Sequence, residues 1–420
     1  MLFIYRVLPI GGIETFFLRM AKERSKKGLS TTILLLSDPK DSNEFLLLEM
    51  KKYAKVIFYF DIFYKIPFLS KYFPLISVAR KKELSKILLN VNQIHAFKGM
   101  HALLAYKLLS IASKKTIPIT IGFYHHISYT WGGKDIAYHE KINRKFAFNY
   151  LPKESLLFFS KDNRDFHSKV TNMDFRNSKT FRLGVVDNKK VDISGNLDSV
   201  LKIVALGRLV EFKTYNISIL EVIKQLVDDG ILVKLDIFGE GPLATKIKKK
   251  IDFLNLENFV SLKGNIEYKE FDKIIKDYDL FIGSGTSIVQ ASSLGVTSIV
   301  GVDNETLPKT YGFFSNVYQH EYNLKGLKIK EYQVYDLIIH FLNISNEERY
   351  QLKLNHLNCS KNFSNEFCQN SMENCKNIKM PTEDFSLNIF KYEISRAMDQ
   401  ILRFLNPKHP FNTKFNDFKN

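Results

Sequence analysis

Long apolar runs are absent from this 420-residue chain, and none approaches the roughly 18 residues that a membrane-spanning helix needs. Residues 1–10 have no basic stretch followed by an apolar core and a small-residue cleavage site, so they read as a first β-strand and not as a signal peptide. Cysteine is scarce. Cys359, Cys368 and Cys375 are odd in number, lie late in the chain, and are separated by eight and six residues. That pattern fits neither a disulfide framework nor a zinc knuckle, and it points to a reducing, cytoplasmic compartment with no structural metal. His356, near these cysteines, reads as a surface residue and not as a ligand. There is no zinc finger, no RNP-type segment and no long basic tract. The net charge of +17 is spread over the whole chain, which suits an anionic lipid surface or a phosphorylated substrate better than nucleic acid.

What is present is the composition of a soluble globular protein, 45% hydrophobic and 25% charged, in a chain too long for one ordinary core. Short apolar runs alternate with helical patterns. Residues 2–8, 31–36, 93–97, 117–123, 156–160 and 180–183 read as strands, with helices at 14–27 and, as an amphipathic segment, 103–113. After a polar stretch the alternation restarts with strands at 202–206, 233–238, 259–262, 280–282 and 297–300, and a helix at 217–228. Strand–helix alternation of this kind implies βαβ units and parallel sheets. The reading is therefore an α/β chain of two facing, doubly wound, Rossmann-like domains. They would comprise residues 1–186 (acceptor side) and 200–378 (donor side), joined by a hinge at 187–199, with a partly helical extension at 379–420. A cleft bordered by the carboxyl ends of both sheets would be the ligand site.

Three segments carry chemistry. Gly11-Gly12-Ile13-Glu14 follows the first strand and opens a helix, where glycine lets backbone approach a ligand and the helix terminus favours an anion; it lacks the full G-x-G-x-x-G spacing. Val204-Ala205-Leu206-Gly207-Arg208-Leu209, with Lys213, ends a strand in two cations, one a planar fork and one a point charge, a pair suited to a diphosphate. Gly283-Ser284-Gly285-Thr286-Ser287 turns from a strand into a helix of small residues, and its amides and two hydroxyls would face an anion. His125 and His126 end a further strand, in which adjacent side chains face opposite ways, so one can enter the cleft. Arg164 is a weaker acceptor-side candidate. Asp277-Tyr278-Asp279 has a metal-binding look, but it precedes its strand and reads as a loop acid pair. Two segments could lie on a membrane or else pack within the protein, 58–82 with its aromatics in the core and 383–405 across the two domains. In 58–82, a surface helix would set Phe63, Ile66, Phe68 and Leu69 near headgroups, with Lys65, Lys71, Arg80 and Lys81 toward anionic lipid. In 383–405, Phe390, Ile394, Ile401 and Leu405 share one side of a helix.

Taken in order, Gly-Gly-x-Glu, Gly-Arg-Leu with Lys213, Phe238-Gly239-Glu240-Gly241-Pro242, Lys263-Gly264-Asn265 and the Gly285–Gly295 segment resemble glycosyltransferase family 4. That family has the GT-B fold, and the likeness is greatest to its bacterial capsule and surface-polysaccharide members. The resemblance implies a retaining, metal-independent and cofactor-free transfer from a nucleotide-diphosphate sugar to a saccharide or lipid-linked saccharide. By it, Arg208 and Lys213 would hold the diphosphate and stabilise its developing charge, with His125 near the reacting sugar. Amides near Gly285, Thr286 and Ser287 would complete the anion site, Gln290 would grip the ribose, the turns at Gly239, Gly241 and Gly264 would border the base, and Gly12 would lie against the phosphates. The family often places glutamates where this chain has Ile282 and Gln290, so a contact to the transferred sugar would be lost at Ile282. The alternatives are a nucleotide-sugar epimerase of the same fold and an inactive nucleotide-sugar-binding homologue.

Overall fold

The computed structural model describes all residues except Ile10, Gly11, Pro67, Phe68, His126, Lys134, Asp135, Tyr268, Lys269 and 414–420. The readings made above for Gly11, Phe68 and His126 fall on residues outside this description. The chain forms two compact units, one of Met1–Gly184 together with Cys368–Asn420, the other of Val185–Phe367.

The first unit is built on a parallel seven-stranded sheet: β1 (Leu2–Tyr5), β2 (Thr32–Leu35), β3 (Lys55–Phe58), β4 (Ile94–Ala96), β5 (Ile119–Phe123), β6 (Leu156–Phe158) and β7 (Lys179–Thr180). Their order is β3-β2-β1-β4-β5-β6-β7. Alternate residues of each strand feed two cores. Leu2, Ile4, Ile94, Ile121 and Phe123 face one, and Phe3, Tyr5, Ile33 and Leu157 the other. Burial on both faces is why these strands are apolar throughout instead of alternating. The second unit repeats the plan with β8 (Leu201–Leu206), β9 (Val233–Phe238), β10 (Val260–Gly264), β11 (Leu280–Gly283) and β12 (Thr297–Val300), ordered β10-β9-β8-β11-β12 and parallel. Both units are thus doubly wound α/β domains. Each sheet reverses its strand order once, between β1 and β4 and between β8 and β11, the crevice where open sheets bind ligands.

Several expectations are corrected. The segment 187–199 is no free hinge: it packs along the second unit, where the Gly195 carbonyl accepts from Arg349 Nε at 2.8 Å and Asp187 accepts from Asn365 at 3.0 Å. Its polar character reflects those hydrogen bonds. Residues 368–378, expected in the donor domain, belong to the first unit, as does everything after them. The three cysteines are buried, with Cys368 and Cys375 in the core beneath β1 and β2. His356 is buried too, its ring nitrogens bonded to the Leu352 and Ser298 carbonyls. In place of a surface helix, the segment 58–82 contains the end of β3 and two one-turn helices, and Phe63 is core. Lys71 is tied to Asp38 and Asp41 at 2.6 and 2.7 Å. The helix Gly99–Ile111 is buried on most sides instead of amphipathic, because the 73–77 loop and the 383–385 segment cover it: Lys107 donates to the Leu75 and Ser77 carbonyls, and the Tyr106 hydroxyl accepts from the Phe385 amide.

The C-terminal helix Ile389–Leu405 closes the first unit. Tyr392 is fully buried and donates to Asn143 at 2.8 Å, while Glu393 accepts from the Leu75 amide and from Arg396. Its opposite face is bare: Phe390, Ile394, Ile401 and Leu405 are each 59–68% exposed. Among the described residues, no helix is long and apolar enough to cross a membrane.

Candidate active site

In the second unit the candidate residues gather at the carboxyl ends of β8, β9, β10 and β11. β8 ends at Leu206, and Gly207 turns the chain so closely that a Cβ there would lie 2.9 Å from the Tyr215 hydroxyl and 3.0 Å from Lys213 Nζ. The Lys213 side chain therefore folds back over the end of β8. Gly239 and Gly241, at φ of 140° and 151°, press against this turn; an added Cβ would meet the Gly207 carbonyl at 2.0 Å and the Leu209 carbonyl at 2.3 Å. Only glycine fits both the backbone angle and the gap. Leu209 then donates to the Glu240 carbonyl, and Leu243 to that of Leu209, at 2.9 and 3.0 Å. Gly239 donates to the Gly264 carbonyl at 2.8 Å, tying in the next strand.

On the other side of the switch point, Gly285 has φ +66° and open space around it, which lets the chain enter the seven-residue helix Thr286–Ser292. The Tyr322 hydroxyl donates to the Gly285 carbonyl at 2.9 Å. Of the turn's hydroxyls, Ser287 donates to the Ser284 carbonyl and Ser284 to Asp303, so neither faces outward as expected; Thr286 is exposed. Gln290 lies four residues on, on the same helix face as Thr286.

Arg208 is exposed and Lys213 half-buried. Burial lowers the Lys213 pKa, Asp303 partly restores it, and the nearby Arg208 lowers it further. Burial likewise raises the Asp303 carboxyl, opposed by Asn323, Lys213 and Ser284. Asp303 accepts from Ser284 at 3.2 Å and from Asn323 at 3.0 Å, and Ser284 is 3.5 Å from the Tyr215 hydroxyl. This Lys213–Tyr215–Ser284–Asp303 chain was not singled out in the sequence, although Asp303 stands three residues beyond β12, where a strand delivers side chains to the carboxyl edge. The arrangement brings two cations and the exposed residues Gly285 and Thr286 to one edge, a combination chemically suited to a phosphate group. Ile282, by contrast, is 2% exposed and faces the core, so its side chain contributes packing. Asp279 accepts from the Lys202 amide of β8 at 2.9 Å, and Tyr278 donates to Asp236 of β9, so Asp279 and Tyr278 brace the neighbouring strands.

In the first unit, a cavity of about 710 Å³ opens at the carboxyl ends of β1, β4 and β5, lined among others by Arg6, Lys98, His101, His125, Tyr129 and Arg403. His125 does not end β5 as expected; it lies two residues beyond, in a turn where its carbonyl accepts from Ser128 at 3.0 Å. Gly12 is the first residue of α1 (Gly12–Lys26) and is exposed. Glu14 is occupied structurally, accepting from the Tyr5 hydroxyl at 2.7 Å. Arg164 pairs with its neighbour Asp165.

These two units are of a kind found in glycosyltransferases of the GT-B fold, and residues 188–318 match the family model described as glycosyl transferases group 1. Among solved structures, the chain is similar to a glycosyltransferase from Rickettsia africae (TM-score 0.58, 15% identity, covering 89% of this chain and 97% of that one). It is similar also to HepE of Anabaena in complex with UDP-glucose (TM-score 0.53, 14% identity, 90% and 99% covered). A third is the lipopolysaccharide outer core galactosyltransferase WaaB (TM-score 0.56, 15% identity, 89% and 99% covered). No curated protein matches the sequence.

Proposed function

We propose that this chain is a retaining, metal-independent glycosyltransferase of family 4 type. It would move a sugar from a nucleotide-diphosphate donor onto a saccharide or lipid-linked saccharide in the synthesis of surface polysaccharide. The observation that carries the reading is the convergence of Arg208, Lys213 and the Gly285–Ser287 turn on one edge of the second unit, inside the segment that matches the group 1 model. As the bond between the sugar's anomeric carbon and the diphosphate breaks, negative charge grows on the phosphate oxygens. Fixed cations and amides aimed there lower the barrier without moving a proton. The acceptor oxygen bonds to the anomeric carbon on the face the diphosphate leaves, and the acceptor's proton passes to a leaving phosphate oxygen. Gln290 would bond the ribose hydroxyls as a neutral partner.

The test is release of nucleotide diphosphate from a panel of nucleotide sugars, beginning with UDP-glucose, with and without EDTA. Release from at least one donor, unchanged by the chelator, is expected, since the cations already supply the potential a divalent ion would give. No release from any donor, or an absolute need for magnesium or manganese, would overturn the reading.

We propose further that the acceptor lies at the inner face of the cytoplasmic membrane. The support is the net charge of +17 and the bare apolar face of the helix Ile389–Leu405, with Lys391 and Lys408 exposed beside it. An amphipathic helix of this kind lies in the headgroup layer, each nearby cation adding about 1 kcal/mol on anionic lipid. The chain is expected to float with phosphatidylserine-containing vesicles, less so at high salt, and Ile394→Glu with Ile401→Glu should abolish flotation. Absence of binding by the unaltered chain removes the membrane from the proposal.

A further inference from the structure

We infer that the cavity of the first unit is a binding site for a phosphate ester, so that the acceptor is anionic and is held by Arg6 and Lys98. This deepens the proposed function by naming the chemistry of the acceptor, and it rests on that reading only for the word acceptor.

The cavity holds more cations than its carboxylates neutralise. Lys71 is paired with Asp38 and Asp41, Arg396 with Glu393, and Arg403 with Asp399. Among the described residues, Arg6 and Lys98 make no ion pair. Glu140, the acid whose charge acts on Lys98, already accepts from Asn143 at 3.0 Å and Arg144 at 3.4 Å. Arg6 and Lys98 are both exposed on the lining; the protein crowded around Lys98, with Arg6 and Arg403, depresses its pKa, and Glu140 opposes them. Two neighbouring cations without a counter-charge repel one another, an arrangement that an anionic ligand relieves.

A second, independent feature is polar capacity left open on the same lining. His101 is 3% exposed and Tyr129 7% exposed, and among the described residues neither His101 Nδ1 nor the Tyr129 hydroxyl has a hydrogen-bond partner. Buried polar atoms are nearly always satisfied. Both residues line the cavity beside Arg6 and Lys98; the two unpartnered atoms are themselves covered, and a phosphate ester's oxygens would reach them on a rearrangement of the wall. Burial holds the His101 pKa down at about 3, so at neutral pH the ring is uncharged and acts as a hydrogen-bonding group. The volume of about 710 Å³ accommodates a sugar as well as a phosphate.

The test is titration calorimetry on the full chain with glucose 1-phosphate and with geranyl diphosphate, against glucose and geraniol as neutral controls. UDP is titrated in parallel. The phosphate probes should bind and the controls should not. Arg6→Ala and Lys98→Ala should each weaken the probes about tenfold to a hundredfold, the size of a charge-assisted bond, with Lys98→Arg largely retaining affinity and UDP binding unchanged. The tighter of the two phosphate probes distinguishes a sugar phosphate from a lipid diphosphate. Equal binding of charged and neutral probes overturns the inference. So does a parallel loss of UDP affinity in the variants, which would make the cluster part of the donor site. Because no transfer is measured, failure of the donor panel would leave these titrations readable.

Discussion

Replacing Arg208 or Lys213 by alanine is expected to lower kcat by about 30-fold to 1000-fold, the roughly 2–4 kcal/mol lost when one fixed donor to a developing anion is removed. The two should fail differently. Arg208 is exposed and free to fork across two oxygens, so a lysine there would restore charge but not geometry. Lys213 is held over the Gly207 turn, with its ammonium 5.9 Å from the centre of the Tyr215 ring, and delivers a point charge from a fixed place. Steady-state kinetics at saturating donor decide the matter. A loss confined to KM would mean uniform binding of donor and transition state, and normal turnover in both variants would remove this edge from the chemistry.

The second large effect concerns stability. Tyr392→Ala should destabilise the first unit by about 3–5 kcal/mol, as large aromatic truncations in cores do, visible as a lower denaturant midpoint. Tyr392 is fully buried among the residues under β4 and β5, against His139, and its hydroxyl donates to Asn143. Tyr392→Phe keeps the ring and should lose only about 1–2 kcal/mol, the cost of one buried bond left half-made. A truncated variant with an unchanged midpoint would mean that the C-terminal helix is an appendage, not part of the core.

The two sheets were legible because parallel strands buried on both faces are short apolar runs with little ambiguity. β8, β9 and β12 lie within a residue of the sequence reading. β3 was missed: Lys55-Val56-Ile57-Phe58 is brief and merges with the aromatic stretch after it. The candidate glycines and cations of the second unit could be picked out in the sequence because each belongs to a short local motif at a strand end. Asp303, Tyr215 and Asn323 could not, since their relation to Lys213 exists only once β8, β11 and β12 are side by side. The same holds for Ile282, where a position equivalent in sequence to a ligand contact turns into the core. Of the cavity of the first unit, only its place at the carboxyl edge and His125 were legible. Its wall from Tyr392 to Arg403 lies about three hundred residues from Lys98 and nearly four hundred from Arg6, and no pattern within either segment announces the other.

The first unit is interrupted: its sheet ends before residue 185, and its last helices follow residue 367. On the ribosome, the second unit is complete before the first has all its parts. Until Cys368, Met372 and Cys375 arrive beneath β1 and β2, Arg24 waits for Glu373 and the pocket for Tyr392 lies open. Nascent first-unit chains must therefore hold exposed apolar surface while roughly 180 residues are added, about 10–40 seconds at synthesis rates of about 5–20 residues per second. That interval makes the N-terminal half the segment for a holding chaperone to bind, and release would coincide with synthesis of the C-terminal helix.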